Sequence, residues 1–204
     1  AGWNKTDVTV SWSVSDPESG IASSSGCGTI ALTTETAGTT VTCTATNGAG
    51  LSSSASVTVK IDKTAPTLTF GVASPAANAA GWNNTDVSVP YTAADSLSGV
   101  ATASPVSPLV LTAEGTAVTA TVTVTDVAGN SATFTSPAVK IDKTPPTITI
   151  TSPVTDTVFT SSPASTTVQA SDAFAVAFVN VNAVSASLAS GSTQLGTWQA
   201  SVPI

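Results

Sequence analysis

The 204-residue chain contains no histidine, no methionine and no arginine, and only 8% of its residues are charged. Without histidine it lacks the side chain that most often serves as general base near neutral pH. Without arginine it lacks the planar fork used to clamp carboxylates, phosphates and oxyanions. Its two cysteines, with no histidine beside them, cannot fill the four positions of a structural zinc site. No apolar run approaches the roughly 20 residues that a bilayer-spanning helix needs. Positive charge is scarce too. Five lysines against twelve acidic residues leave a net charge of −7 and a pI of about 4.1, the wrong sign for nucleic acid or an anionic membrane surface. These absences predict a protein that is not an enzyme, binds no nucleic acid and inserts no part of this segment into a membrane.

What is present is hydroxyl, small apolar residues and repetition. Serine and threonine fill about a third of the chain. Gly2-Trp3-Asn4-Lys5-Thr6-Asp7-Val8 returns as Gly81-Trp82-Asn83-Asn84-Thr85-Asp86-Val87, and at the same offset Asp16 meets Asp95 and Trp12 meets Tyr91. Lys60-Ile61-Asp62-Lys63-Thr64-Ala65-Pro66-Thr67 returns one residue later in phase, as Lys140-Ile141-Asp142-Lys143-Thr144-Pro145-Pro146-Thr147. So many matched positions at nearly one offset exceed anything that composition bias produces, so the chain is built from repeats of about 80 residues.

Within each repeat the period is two. Val8, Val10, Trp12 and Val14 alternate with Thr9, Ser11 and Ser13, the signature of a half-buried strand with hydroxyls facing out. The runs are short and punctuated by Gly, Pro, Asn, Asp and Ser, and none has helical spacing over helical length. This pattern predicts an all-β fold of tandem Greek-key β-sandwiches. Three repeats follow: residues 1–63, lacking a first strand; residues 64–143, complete; and residues 144–204, divergent and shortened at the C-terminal side. In the complete repeat, strands are expected at 67–70, 86–94, 100–103, 109–111, 117–125 and 131–141, with a loop through Gly81. In the third they are expected at 147–150, 168–172, 179–181, 184–188 and 198–202. Ala1 follows no leader-like segment and Val202-Pro203-Ile204 stops within a strand pattern, so the chain reads as a piece of something longer.

The repeat resembles bacterial immunoglobulin-like repeat domains, which occur in tandem in secreted and cell-surface proteins. The residues that carry the resemblance are Asp95-Ser96-Leu97-Ser98-Gly99, Asp126-Val127-Ala128-Gly129-Asn130 and the junction Asp142-Lys143-Thr144-Pro145-Pro146-Thr147. It covers nearly the whole chain and implies an exported, non-enzymatic stalk or adhesin spacer. Its partners would be neighbouring repeats of the same chain, with a surface glycan or a cell-surface protein as a further partner. A glycan- or protein-binding module, or an accessory segment of an exported hydrolase, are the alternatives. Proline at Pro66, Pro145 and Pro146 restrains the linkers, so an extended arrangement of repeats is expected.

Against that background four sets of residues stand out. Cys27 and Cys43 lie 16 apart and correspond to Val106 and Val122 of the next repeat, an apolar pair expected to face each other in the core. A disulfide is therefore expected, with two unpaired buried thiols as the alternative. In a sandwich of this topology the entering linker lies beside the B–C and F–G loops, which brings Asp62, Asp95 and Asp126 into one neighbourhood and Asp142 near Asp172. Clustered carboxylates there suit calcium. The competing reading has Asp95 and Asp126 capping their own turns, with Gly99 and Gly129 supplying positive φ and Lys63 and Lys143 neutralising the remaining charge. Trp3 and Trp82 are expected to plug the open end of a sandwich, with sugar stacking as the alternative. Trp12, Tyr91 and Trp198 are expected in the core. Asn4-Lys5-Thr6 and Asn83-Asn84-Thr85 fit the N-glycosylation pattern but read better as turns that start a strand.

Overall fold

The computed structural model describes residues 2–154 and 157–203. The fold is all-β, with several small sheets and no α-helix among the described residues. The chain divides into two compact units. One comprises Ala1–Ala73, Ser88–Val110 and Thr119–Pro137; the other comprises Ser74–Val87, Leu111–Val118 and Ala138–Ile204.

The first unit contains the first repeat and part of the second. In the first repeat a four-stranded sheet runs in the order Trp3–Asn4, Ser52–Ile61, Thr36–Asn47, Ile21–Ser25. Thr36–Asn47 and Ser52–Ile61 form a long antiparallel hairpin whose outward hydroxyls pair across the strands, as Thr40 with Thr58 at 3.0 Å and Thr42 with Ser56 at 2.8 Å. Such cross-strand pairs are the unit of sheet stabilisation, and they account for the density of Ser and Thr. Inward residues Cys43, Val59 and Ile61 are buried. The alternation from Val8 to Val14 predicts one continuous strand, but only Val8–Val10 is paired, with Ile30–Leu32. The reason is visible in the next repeat. There Tyr91–Ala94 pairs with Thr67–Phe70, and among the described residues no strand offers residues 12–15 the same partner.

The second repeat also gives this unit the sheet Val100–Ser104, Thr121–Asp126, Ser131–Thr135, with Val122 and Val124 fully buried. The expected strand 86–94 is broken at Pro90, which has no N–H to give to a ladder. Its two parts are Val87–Val89 and Tyr91–Ala94, and the Pro90 carbonyl accepts from Gly71 N at 2.7 Å. Pro137 interrupts the expected run 131–141 in the same way, leaving Ser131–Thr135 and Val139–Ile141.

The second unit holds a three-stranded sheet, Gly115–Val118, Val139–Ile141, Trp82–Asn83. Trp82–Asn83 pairs in parallel with Lys140–Ile141, as Trp3–Asn4 does with Lys60–Ile61. The expected loop at Gly81 is thus followed by a short strand in both repeats. The third repeat supplies a four-stranded sheet in the order Thr147–Ser152, Ala164–Ser171, Leu195–Val202, Ser187–Gly191. Val168, Ala170 and Trp198 from this sheet pack with Val176 and Val179 into a core, so Trp198 is a core residue. A small hairpin, Asn180–Val181 with Val184–Ser185, turns at Asn182 and Ala183, both with positive φ.

Cys27 and Cys43 form a disulfide. The pairing agrees with the expectation, but its premise holds only in part. Val122 is fully buried and Val106 is 76% exposed, so the two valines are not facing core residues. Cysteine at position 27 therefore crosses to the buried Cys43 from a half-buried position rather than replacing a core valine.

Candidate functional site

Asp62, Asp95 and Asp126 converge in the first unit, with one carboxylate oxygen of each lying within 4.8 Å of the others. Asp62 and Asp126 are buried. Asp62 ends the strand Ser52–Ile61 and enters the linker, its N–H donating to the Asn4 carbonyl at 2.9 Å. Asp95 follows Tyr91–Ala94, and its Oδ1 accepts the N–H groups of Leu97, Ser98 and Gly99 at 3.1, 2.9 and 2.8 Å. Asp126 ends Thr121–Asp126, and its two oxygens accept the Asn130 N–H and the Asn130 side-chain amide, each at 2.8 Å. Gly99 and Gly129 take φ of 83° and 93°, which lets these loops fold back on their aspartates.

Two residues outside the expected set tie the three acids together. The Ser98 N–H is shared between Asp95 and the Asp62 Oδ2, the latter at 3.0 Å. The Asn130 amide donates to the Asp62 carbonyl at 2.8 Å as well as to Asp126. Both residues lie inside the motifs Asp95–Gly99 and Asp126–Asn130, which was the signal for them in the sequence. Burial acts to raise the Asp62 pKa, but hydrogen bonds from Ser98 and Thr64 outweigh it and hold the carboxyl below the usual carboxylate value.

The turn-cap reading accounts for most of these bonds, and the first repeat tests whether it accounts for all of them. There Asp16 stands in place of Asp95, but Asn47 stands in place of Asp126. Asn47 Oδ1 accepts the N–H groups of Ala49 and Leu51, and its amide donates to Asp16 Oδ2 at 3.0 Å. An amide therefore caps this hairpin. The second repeat has a carboxylate at Asp126 instead, whose Oδ2 accepts the Asn130 amide, a donor that Leu51 does not offer in the first repeat. Neither lysine compensates it: Lys63 pairs with Asp7 and Lys143 with Asp86, which corrects the expectation that they neutralise the junction acids. Three carboxylates in a donor set made only of oxygen fit a hard cation such as Ca²⁺, which takes six to eight oxygens, and do not fit zinc.

The Asn47 amide, with N–H groups of Ser19 and Glu18, pulls the Asp16 pKa down to about 2 from 3.8. A carboxylate with a depressed folded-state pKa contributes its full stabilisation above its unfolded value and loses it as pH falls through the folded one. Melting of the chain is therefore expected to become acid-sensitive between pH 3.8 and about 2, and Asp16→Asn is expected to flatten that part of the profile. Thermal melts across this range check it; a variant as acid-sensitive as the parent would refute it.

Asp142 and Asp172 do not complete a second group. Asp142 Oδ1 accepts the Thr144 N–H at 3.2 Å and Asp172 Oδ1 the Phe174 N–H at 2.9 Å. Among the described residues only Asp62, Asp95 and Asp126 form a set of three carboxylates with metal-ligand spacing.

The linkers are built alike. Lys63 reaches Asp7 and the Thr33 carbonyl, while its N–H donates to Glu35 at 2.6 Å and the Thr64 hydroxyl to the same carboxylate at 2.8 Å. Lys143 reaches Asp86 and the Thr112 carbonyl, both within 2.9 Å, and Glu114 accepts the Lys143 N–H at 2.7 Å and the Thr144 hydroxyl at 3.1 Å. Glu35 and Glu114 were not singled out in the sequence. Their signal was the repeat itself, since both pairs Asp7/Asp86 and Glu35/Glu114 are spaced at the repeat offset.

Trp3 and Trp82 are half-buried and lie in short strands beside these linkers, with Lys60 and Lys140 ammonium groups 5.5 and 5.7 Å from their rings. Each pairs with the strand that leads into a linker, Trp3 opposite Lys60 and Trp82 opposite Lys140. Asn83 is buried with its amide on the Lys140 carbonyl at 3.2 Å, an inaccessible position for glycosylation. No protein-family model, no curated protein and no solved structure matches the chain.

Proposed function

We propose that the chain is a non-enzymatic spacer made of tandem Ig-like β-sandwiches, exported to the cell surface or beyond, that holds other domains at a distance. The observation that carries this reading is the duplicated linker clamp. Each Asp-Lys-Thr linker is fastened to the repeat before it by one ion pair, one lysine-to-carbonyl bond and a glutamate that accepts twice. A chain selected only to connect independent domains would not duplicate such a device, because flexible Gly/Ser segments connect domains without it. The disulfide and the absence of any helix long and apolar enough to cross a membrane among the described residues fit an extracellular setting. The Asp62–Asp95–Asp126 group adds a cation-responsive brace to the linker that contains Asp62.

Stiff junctions give an elongated scattering particle. Small-angle X-ray scattering of the full chain is expected to show a long-tailed pair-distance distribution. Glu35→Ala with Glu114→Ala is expected to shift it toward a flexible profile while leaving each repeat folded. A compact profile from the parent chain would overturn the spacer reading. Each clamp is solvent-exposed, so its effect on unfolding free energy is small, about 1 kcal/mol or less; the readout is shape.

A further inference from the structure

The second repeat shows what belongs beside its Tyr91–Ala94 strand. Thr67–Phe70 pairs with it antiparallel, with Phe70 opposite Tyr91 and Leu68 opposite Ala93. The Phe70 and Tyr91 rings meet edge-on, 6.2 Å between centroids. In the first repeat Trp12 and Val14 stand at the positions of Tyr91 and Ala93, and among the described residues no strand pairs with them. Beside them lies a cavity of about 390 Å³, lined also by Ile21, Ala45 and Leu51. Val14, Ile21 and Leu51 are exposed. This is a slot shaped for one strand with apolar residues at alternate positions.

The chain carries a second strand of that kind. Thr147-Ile148-Thr149-Ile150 stands in the third repeat where Thr67-Leu68-Thr69-Phe70 stands in the second. The strand Thr147–Ser152 is at one end of its sheet and pairs on one side only, with Ala164–Ser171. Ile148 and Ile150 lie opposite the buried Ala170 and Val168, and so on the core face of the sheet, yet each is 62% exposed. Leu68 and Phe70, by contrast, are half-buried. Thr147–Ser152 therefore offers both a free backbone edge and two uncovered isoleucines.

The two edges suit each other. Laid antiparallel in the register of the second repeat, Ile150 faces Trp12, Ile148 faces Val14, Thr149 faces Ser13 and Thr147 faces Ser15. That makes two apolar cross-strand pairs on one face and two hydroxyl pairs on the other, the latter of the kind formed by Thr40 and Thr58. Neither residues 12–15 nor residues 147–152 include a charge or a proline, the usual guards of an exposed edge. The chain as a whole carries −7, so copies repel one another except where such neutral segments meet.

We infer that the first repeat of one chain takes the Thr147–Ser152 edge of a second chain as the strand that completes its sheet, so that copies associate head to tail. Each copy has one slot and one strand, and such a heterologous contact closes into a ring or extends as a filament. A strand pair this short falls below the roughly 1,200 Å² of a stable complex, so the association is weak. A spacer needs no contact between copies, so the inference goes beyond that reading and does not rest on it.

The test is sedimentation equilibrium of the full chain from about 10 μM to about 1 mM, the range suited to so small a contact. The weight-average mass is expected to rise with concentration. Val14→Lys in the slot and Ile148→Lys on the strand, both at exposed positions, are each expected to weaken the association about ten-fold or more. The two variants mixed are expected to associate again and to stop at pairs, because one keeps the strand and the other keeps the slot. A mass that stays at that of one chain over the whole range overturns the inference, and so does a mixture that fails to pair. Should one variant lose its fold, the other decides, and unchanged association in it overturns the inference as well.

Discussion

Replacing Cys27 and Cys43 together by alanine is expected to lower the unfolding free energy of the first repeat by about 3 kcal/mol, the chain-entropy value for a loop of this size. The bond closes a loop with a sequence separation of 16. Cys43 lies buried in the middle of Thr36–Asn47, the strand that pairs with both Ser52–Ile61 and Ile21–Ser25. On the other side, Cys27 follows Gly26, which has φ of 71° and whose missing Cβ would meet the Thr42 carbonyl at 2.2 Å. The crosslink thus ties the segment after an edge strand to the centre of the sheet. This repeat has no strand beside residues 12–15 among the described residues, so it has fewer other restraints than the second repeat. Denaturant melts should show one transition moved to lower concentration and the transition of the third repeat unmoved, since its core of Val168, Ala170, Val176, Val179 and Trp198 is in the other unit. A parent chain in reductant should match the alanine variant. Unchanged melts in both would show that the crosslink adds nothing to the sheet.

Calcium in the millimolar range is expected to raise the stability of the same unit, by about 2.7 kcal/mol once it reaches a hundred times its dissociation constant. Three carboxylates within 4.8 Å repel one another at neutral pH, and a divalent cation turns that repulsion into shared coordination. The first repeat supplies the control. Because Asn47 caps its hairpin through Oδ1, Asp126→Asn should keep the cap on the Asn130 N–H while removing the charge, at the cost of the Asn130 amide bond to Oδ2. The variant should be less stable than the parent in chelator, by about 1–3 kcal/mol for the lost buried bond, and gain nothing from calcium. Asp62→Asn and Asp95→Asn should reduce the gain likewise. If chelator and calcium give superimposable parent melts, the three acids are turn caps and the clamps at Lys63 and Lys143 are left as the source of junction stiffness.

Much of the architecture was legible in the chain. Strand positions at Thr67–Phe70, Val100–Ser104 and Leu109–Leu111 follow from alternation, and the turns at Gly99 and Gly129 from residues that accept positive φ. These are local properties, carried by the period of two and by backbone sterics. The breaks at Pro90 and Pro137 were equally local and were there to be read, since proline withdraws a donor from the ladder wherever it stands. The strand expected over residues 11–14 failed for the opposite reason. Its alternation is intact, but a strand exists only where another pairs with it.

The same distinction governs the sites. From the residues alone came the repeat, the all-β class, a turn-capping reading of Asp95 and Asp126 and the pairing of Cys27 with Cys43. Only the tertiary structure decided which acids meet. The Asp62 carboxylate reaches Ser98 across 36 residues and its carbonyl reaches Asn130 across 68, and among the described residues no such group of three forms around Asp142. It decided as well that Lys63 and Lys143 turn back to Asp7 and Asp86, and that Trp82 meets Phe174. Strand period and turn chemistry are written in neighbours, because backbone sterics act over a few residues. Convergence of distant loops depends on how sheets register and close, which no short stretch of the chain encodes.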